Sequence, residues 1–193
     1  MNLALFLLAN TGQPFSFQTL TKNLAVPTVG QTSRYVEHLK DAYPIVAEPK
    51  FSASFKQRVV APAKYYAIDN GLRRANSLQG QPDPGHRLEN AVAIHLCRQT
   101  REVSYAGERG VWECDFITPH AAVQVCLELT PANRAREVRG VIEGTRLPGR
   151  RRAVIVTLDQ ADRLIEDGVR IDAVPAWRDY AGVHVENPFR SIG

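Results

Sequence analysis

Helix-breaking segments divide the N-terminal part of the chain into three short helical stretches. The breakers are the segments 10–14 (Asn-Thr-Gly-Gln-Pro), 26–28 (Val-Pro-Thr) and 41–44 (Asp-Ala-Tyr-Pro). Between them, apolar residues recur at helical spacing. We predict a first helix over Asn2–Ala9, a second after an N-cap at Ser16 and a third after an N-cap at Thr28, because hydroxyl side chains cap helix N-termini.

Two β-type segments follow the third predicted helix. They are Ile45–Ala47 and Tyr65–Ile68, and the polar, basic stretch 50–64 lies between them. The apolar residues predicted to face inward from the third helix are Val29, Tyr35, Val36 and Leu39. Three helices followed by a hairpin is the order of a winged helix-turn-helix, with the hairpin as the wing.

The excess positive charge of the chain lies in this N-terminal part. Residues 1–64 hold all five lysines of the chain and two of its arginines, against three acidic residues. The remaining residues balance, so residues 1–64 carry the whole net charge of +4. Such asymmetry indicates an anionic partner. A solvated basic face without a ligand is the alternative that charge alone leaves open.

If the partner is duplex DNA, the third helix is the predicted recognition helix, because major-groove contacts concentrate in its early turns. Basic residues around it would make salt-dependent phosphate contacts. The predicted nucleic-acid-binding residues are Lys22, Thr28, Gln31, Thr32, Ser33, Arg34, Lys50, Lys56 and Arg58.

The three cysteines, Cys97, Cys114 and Cys126, are odd in number and widely spaced, which argues against a disulfide framework or a zinc knuckle. Free thiols fit a reducing compartment, and no apolar run approaches the ~20 residues that span a bilayer. We therefore predict a cytoplasmic protein without a membrane partner. The uncapped apolar helix at the first residues further predicts a truncated chain or one derived from a longer protein.

The segment 77–85 has the composition of a linker, and we predict domains over residues 1–76 and 86–193. The elements predicted for the second domain are a helix over 87–98, strands over 102–106, 111–117 and 121–129, a helix over 133–144, a parallel strand over 152–158, a short helix after 162 and a strand over 169–174. This order predicts a mixed α/β sheet with helices on its faces.

Acidic side chains lie on otherwise apolar strands of this domain. Alternation places Glu113 and Asp115 on one face, where two carboxylates are costly to desolvate unless they meet a metal ion or a polar cleft. On the next strand, Gln124, Cys126 and Glu128 share a face. Glu89 lies on the helix before the first of these strands. The alternative to a metal site is that Glu89 faces solvent and that Glu113 pairs with an arginine.

A helix glutamate, a strand aspartate and a following strand in this order resemble the PD-(D/E)XK nuclease fold. The whole chain resembles the C-terminal region of prokaryotic AAA+ ATP-binding proteins, which pairs a winged helix with a nuclease-like domain. The stretches that carry the resemblance are 9–12, 16–20, 49–52, 66–71 (Tyr-Ala-Ile-Asp-Asn-Gly), 87–90 (Arg-Leu-Glu-Asn), 113–116 (Glu-Cys-Asp-Phe), 124–126 and 174–177. No G-x-x-x-x-G-K-[ST] loop is present, so no ATP hydrolysis is expected.

The resemblance implies an α/β fold with an N-terminal winged helix-turn-helix followed by a mixed sheet of restriction-endonuclease-like layout. In active members an acid-x-lysine strand helps to bind Mg²⁺ or Mn²⁺ and to activate water. Here Gln124 and Cys126 take those positions, and no lysine follows Lys64. The candidate metal ligands that the resemblance leaves are Glu89, Glu113, Asp115 and Glu128. Cys126, between Val125 and Leu127, is predicted to be a buried, protonated thiol.

The implied catalytic positions are therefore degenerate; they are Glu89, Asp115, Gln124 and Cys126. We predict a nucleic-acid-associated binding module derived from an AAA+ ATPase C-terminal region. Two alternatives remain open at this stage. One is a metal-dependent DNA endonuclease or exonuclease, and the other is a protein-docking module for an AAA+ ATPase partner.

Overall fold

The structure is a computed structural model that describes residues 3–54, 57, 60–76 and 83–177. Within these ranges the chain forms six helices and nine strands, arranged in a three-stranded and a six-stranded sheet. It divides into two compact units, Met1–Ile94 (unit 1) and His95–Gly193 (unit 2). The predicted mixed α/β class is confirmed.

Unit 1 begins with three helices and a small antiparallel sheet. Its elements are α1 (Leu3–Ala9), β1 (Pro14–Phe15), α2 (Phe17–Asn23), α3 (Val29–Asp41), β2 (Ile45–Glu48), β3 (Ala63–Ala67), α4 (Asn70–Asn76) and the first part of α5 (Pro84–Gln99). The strand order is β1-β3-β2. Apolar residues of α1, α2, α3 and the sheet share one core, which includes Leu7, Leu20, Val36 and Tyr65. No helix in the described ranges combines the length and the apolar character that crossing a bilayer requires.

Both predicted N-caps of unit 1 are confirmed. The Ser16 hydroxyl accepts the Thr19 N–H at 3.1 Å, and the Thr28 hydroxyl accepts the Gln31 N–H at 3.2 Å. These bonds satisfy backbone donors that the first helical turn leaves without an intrahelical partner.

The predicted inward face of α3 is wrong at two of its four positions. Val29 is 42% exposed and Tyr35 is 49% exposed. The reason is that the inward stripe of α3 runs through Thr32 and Val36, which are both buried and lie one turn apart.

The segment around the predicted linker contains two helices. Asn70–Asn76 forms α4, and the Asp69 carboxylate accepts the Leu72 N–H at 2.8 Å near its start. Helix α5 begins at Pro84, inside the predicted linker, and residues 77–82 lie outside the described ranges. The two compact units divide between Ile94 and His95, within α5.

Unit 2 contains the six-stranded mixed sheet. Its elements after α5 are β4 (Ser104–Glu108), β5 (Trp112–Ile117), β6 (Ala121–Val125), α6 (Arg134–Thr145), β7 (Arg152–Thr157), β8 (Asp162–Glu166) and β9 (Val169–Pro175). The order is β4-β5-β6-β7-β9-β8. Strands β6, β7 and β9 are parallel, and the other pairs are antiparallel. The predicted parallel strand, β7, lies inside the sheet and is buried from Ala153 to Thr157, as its β-branched composition indicates.

The short helix predicted after Asp162 is wrong, because the segment forms strand β8. A two-residue turn at Asp167-Gly168 joins β8 to β9, and both residues have positive φ, 50° and 74°. An Asp-Gly pair is the usual sequence for such a hairpin turn, since glycine and aspartate tolerate left-handed backbone conformations. The local turn chemistry therefore selects a hairpin here.

Two glycines allow helix α6 to approach strands β5 and β6 closely. A Cβ at Gly140 would stand 2.2 Å from the Glu113 carbonyl oxygen, and one at Gly144 would stand 2.7 Å from the Ala122 Cβ. Only a residue without a side chain fits these distances. The predicted helix over 133–144 is thus confirmed, with one face packed against the sheet.

We expect Gly140→Ala to destabilise the protein by about 1–3 kcal/mol or more, because an added methyl overpacks this contact. Gly30→Ala in α3 is the control, since a Cβ there meets nothing within 4 Å. The control should be neutral or stabilising by up to about 1 kcal/mol through helix propensity. Urea unfolding followed by circular dichroism measures both; equal stability of the two variants would contradict the packing.

Candidate functional site

Strand β6, which carries Gln124, lies beside Asp115 of strand β5 in unit 2. Phe116, the residue after Asp115, pairs with Val123, the residue before Gln124. The Asp115 carboxylate accepts the Val125 N–H at 2.9 Å, and the Gln124 Oε1 accepts the Asp115 N–H at 3.3 Å. Both side chains are buried. The structure therefore brings together Asp115 and Gln124, two of the four positions that the resemblance implies.

A carboxylate that the sequence analysis missed completes this cluster. Glu137 of α6 is fully buried, and its Oε2 accepts the Gln124 Nε2–H at 2.8 Å. Its other oxygen accepts from the Arg136 guanidinium. The signal in the sequence is its position on the inward stripe of α6, one turn before Val141. Asp115, Gln124, Cys126, Arg136 and Glu137 form what we call the polar cluster.

Cys126 follows β6 and is buried, as predicted. Burial, and to a smaller extent the nearby Glu137 and Asp115 carboxylates, raise the pKa of its thiol to about 12, while Arg136 opposes them. A thiol with this pKa stays protonated at neutral pH, so it is neither a base nor an effective nucleophile. The lysine position of the resemblance therefore holds an inert group.

Glu89 binds partners within unit 1. Its Oε1 accepts the Tyr66 hydroxyl at 2.7 Å, and the buried Lys64 ammonium lies 3.5 Å from the same oxygen. The adjacent Asn90 side chain brackets β3, accepting the Ala67 N–H at 2.9 Å and donating to the Ala67 carbonyl at 3.0 Å. These contacts give the Leu-Glu-Asn segment a structural role in unit 1.

The residues of the polar cluster do not fit the metal that the resemblance implies. Glu113 and Glu128 are exposed, and no group of three or more His, Cys, Asp or Glu suited to a metal ion occurs in the part of the chain that the structure describes. Gln124 turns an N–H donor, not a lone pair, toward Glu137. A hard cation such as Mg²⁺ requires oxygen lone pairs at that position.

The predicted recognition helix exposes only part of the predicted contact set. Arg34 is exposed, while Gln31 and Ser33 are half-buried. Thr32 is buried, and its hydroxyl bonds the Thr21 hydroxyl at 2.7 Å, so it cannot reach a DNA groove from this position. The prediction for Thr32 is corrected: its side chain joins α3 to α2.

The remaining predicted DNA contacts divide into three kinds. Lys22 on α2 is exposed, and Lys50 after β2 is half-buried. The Thr28 hydroxyl caps α3 while the residue itself is exposed. Lys56 and Arg58 lie outside the described residues. The exposed cations that the structure describes in this set are therefore Lys22 and Arg34.

Two curated proteins are similar to this chain. An uncharacterized protein of Haemophilus influenzae is 28% identical over 184 residues, which cover 91% of this chain and 44% of that protein. An uncharacterized protein of Methanocaldococcus jannaschii is 29% identical over 162 residues, covering 75% of this chain and 34% of that protein. The chain thus spans less than half the length of these two relatives. No protein-family model matches the chain, and no solved structure matches it.

We expect Cys126 to resist alkylation by iodoacetamide at pH 8 in the native protein, because its pKa of about 12 leaves almost no thiolate there. Reactivity should rise only as the pH approaches that value. The half-buried Cys97 serves as the internal comparison. Peptide mass spectrometry after timed labelling measures both sites; labelling of Cys126 first would contradict the assigned environment.

Proposed function

We propose that this chain is a nucleic-acid-associated binding module that carries a degenerate nuclease-like domain. The arrangement of unit 1 supports the first half of this proposal. The order α1-β1-α2-α3-β2-β3, with β1 joining the β2–β3 hairpin in one sheet, is the order of a winged helix-turn-helix. In that arrangement α3 is the helix that enters the major groove.

The observation that carries the proposal is the exposed arginine of α3. Arg34 lies on the outer side of the helix, in its second turn, while Thr32 and Val36 hold the opposite side in the core. Lys22 on the preceding helix adds a second exposed cation. Cations at these positions suit a phosphate backbone and a base edge.

The arrangement of the second sheet supports the nuclease-like half. The order α5-β4-β5-β6-α6-β7, with two antiparallel pairs followed by a parallel pair, agrees with the helix-strand order that the resemblance implies. Gln124 and Cys126 supply neither a charged ligand nor a base at the positions where the chemistry needs them. We therefore propose a binding role without hydrolysis.

A protein-docking role is the second candidate, because α3 also exposes apolar surface. Val29 and Tyr35 are half exposed. A cavity of about 420 Å³ lies between α1, the end of α2 and α3, and its lining includes Leu3, Leu24 and Tyr35. Such a surface suits an apolar protein partner such as the AAA+ ATPase that the resemblance suggests.

We expect duplex DNA to bind with an affinity that falls steeply as salt rises, because phosphate contacts release counterions. Arg34→Ala should weaken binding by about 1–3 kcal/mol, the range for an arginine that contacts a base. Fluorescence anisotropy with a labelled duplex at two salt concentrations measures both effects.

Two variants control for the loss of a single positive charge. Lys40→Ala removes a cation that pairs with Glu37 at 2.9 Å on the same helix, and Arg163→Ala removes one that pairs with Asp172 at 3.1 Å in unit 2. Both should bind DNA nearly as well as the wild type. Absence of binding at low salt would exclude the DNA role and favour protein docking.

With Mg²⁺ or Mn²⁺, we expect the wild type to cleave linear or plasmid DNA weakly or not at all. The variant Gln124→Glu/Cys126→Lys should gain cleavage, because it restores the acid and places an ammonium near Asp115 and Glu137. Adding Asp115→Ala should abolish that gain. Strong wild-type cleavage that Asp115→Ala removes would show the degenerate assignment to be wrong.

A further inference from the structure

We infer that the Gln124 side chain is a neutral cross-link that takes the place of a cation in the polar cluster, and that Glu137 is the second carboxylate of that cluster. The inference deepens the degenerate-nuclease half of the proposed function and rests on it. It assigns Glu137 and Gln124 roles that the sequence pattern does not indicate. Both roles follow from hydrogen-bond direction and burial.

The Gln124 amide accepts one hydrogen bond and donates another. Its oxygen accepts the Asp115 N–H at 3.3 Å, and its nitrogen donates to the Glu137 carboxylate at 2.8 Å. An amide provides both an acceptor and a donor, so one uncharged side chain satisfies both neighbours. A carboxylate at position 124 could still accept from Asp115, but it would have no proton for Glu137.

The buried carboxylates already have hydrogen-bond donors. Asp115 accepts the Val125 N–H, and Glu137 accepts from Gln124 and from the Arg136 guanidinium. Burying ionised groups is costly unless such donors surround them. A third carboxylate at position 124 would face Glu137 at hydrogen-bond distance, and the repulsion would require a proton or a cation between them.

The position of Glu137 distinguishes it from Glu89, which the resemblance assigns to the metal site. Asp115 and Glu137 both contact strand β6 near its end, because Asp115 accepts the Val125 N–H at 2.9 Å and Glu137 accepts from the Gln124 amide at 2.8 Å. Glu89, by contrast, accepts the Tyr66 hydroxyl and lies 3.5 Å from the Lys64 ammonium. A carboxylate introduced at position 124 would have Asp115 and Glu137 beside it.

The test compares the wild type with three full-length variants: Gln124→Glu, Gln124→Glu/Glu137→Gln and Gln124→Glu/Glu89→Gln. Thermal unfolding is followed with and without Mn²⁺, and Mn²⁺ affinity is measured by electron paramagnetic resonance. Gln124→Glu should melt lower than the wild type without metal, and it should recover on addition of Mn²⁺. It should bind Mn²⁺ about tenfold or more tightly than the wild type, because three carboxylates replace two.

The double variant Gln124→Glu/Glu137→Gln exchanges the two groups and restores the hydrogen bond with reversed polarity. It should melt close to the wild type and show no gain in Mn²⁺ affinity, whereas Gln124→Glu/Glu89→Gln should keep the gain. If Gln124→Glu alone does not fold, a folded exchange variant supports the cross-link. An exchange variant that also fails to fold overturns it.

Two other outcomes overturn the inference. One is a Gln124→Glu variant that is as stable as the wild type and gains no Mn²⁺ affinity. The other is a gain in the Mn²⁺ affinity of Gln124→Glu that an added Glu89→Gln removes and an added Glu137→Gln does not. DNA affinity of the wild type, measured in parallel, reports on the proposed binding function separately, because its predicted contacts lie in unit 1.

Discussion

The hydrogen bond from the Gln124 amide to the buried Glu137 carboxylate is the contact on which the interior of unit 2 depends. It joins strand β6 to helix α6 at the place where the helix backbone approaches the sheet through Gly140. Because the helix lies this close, no further bulky group fits between the two layers without displacing a neighbour. A polar contact in this space must satisfy every donor and acceptor, and the amide does so without adding charge.

Features set by neighbouring residues could be predicted from the sequence. The caps at Ser16 and Thr28 depend on a bond to a backbone group three residues away, and both are present. The burial of Cys126 follows from its apolar neighbours. The hairpin at Asp167-Gly168 also depends on neighbouring residues, and its two turn residues could have predicted it. The prediction instead relied on an apparent helical period in the residues before the turn, which was wrong.

Features set by distant residues could not be predicted. Threonine is usually found at the surface, yet Thr32 is buried because its hydroxyl bonds the hydroxyl of Thr21 on another helix. The residues next to Glu137 do not reveal its role, because its partner, Gln124, lies on strand β6. Glu89 matches the resemblance in sequence, but its contacts with Tyr66 and Lys64 come from a strand far away in the chain. In each case a tertiary partner decides the role of the residue.

The two hydrogen bonds between the Asn90 side chain and the Ala67 backbone limit where the chain can be cut to give a stable first unit. A side-chain amide that satisfies both the N–H and the carbonyl of one strand residue acts as a short additional strand. A fragment that ends at the apparent linker would leave that strand edge open to solvent or to another copy of itself. Exposed edges of this kind promote aggregation, so the practical C-terminal limit of the first unit lies inside helix α5, beyond Asn90.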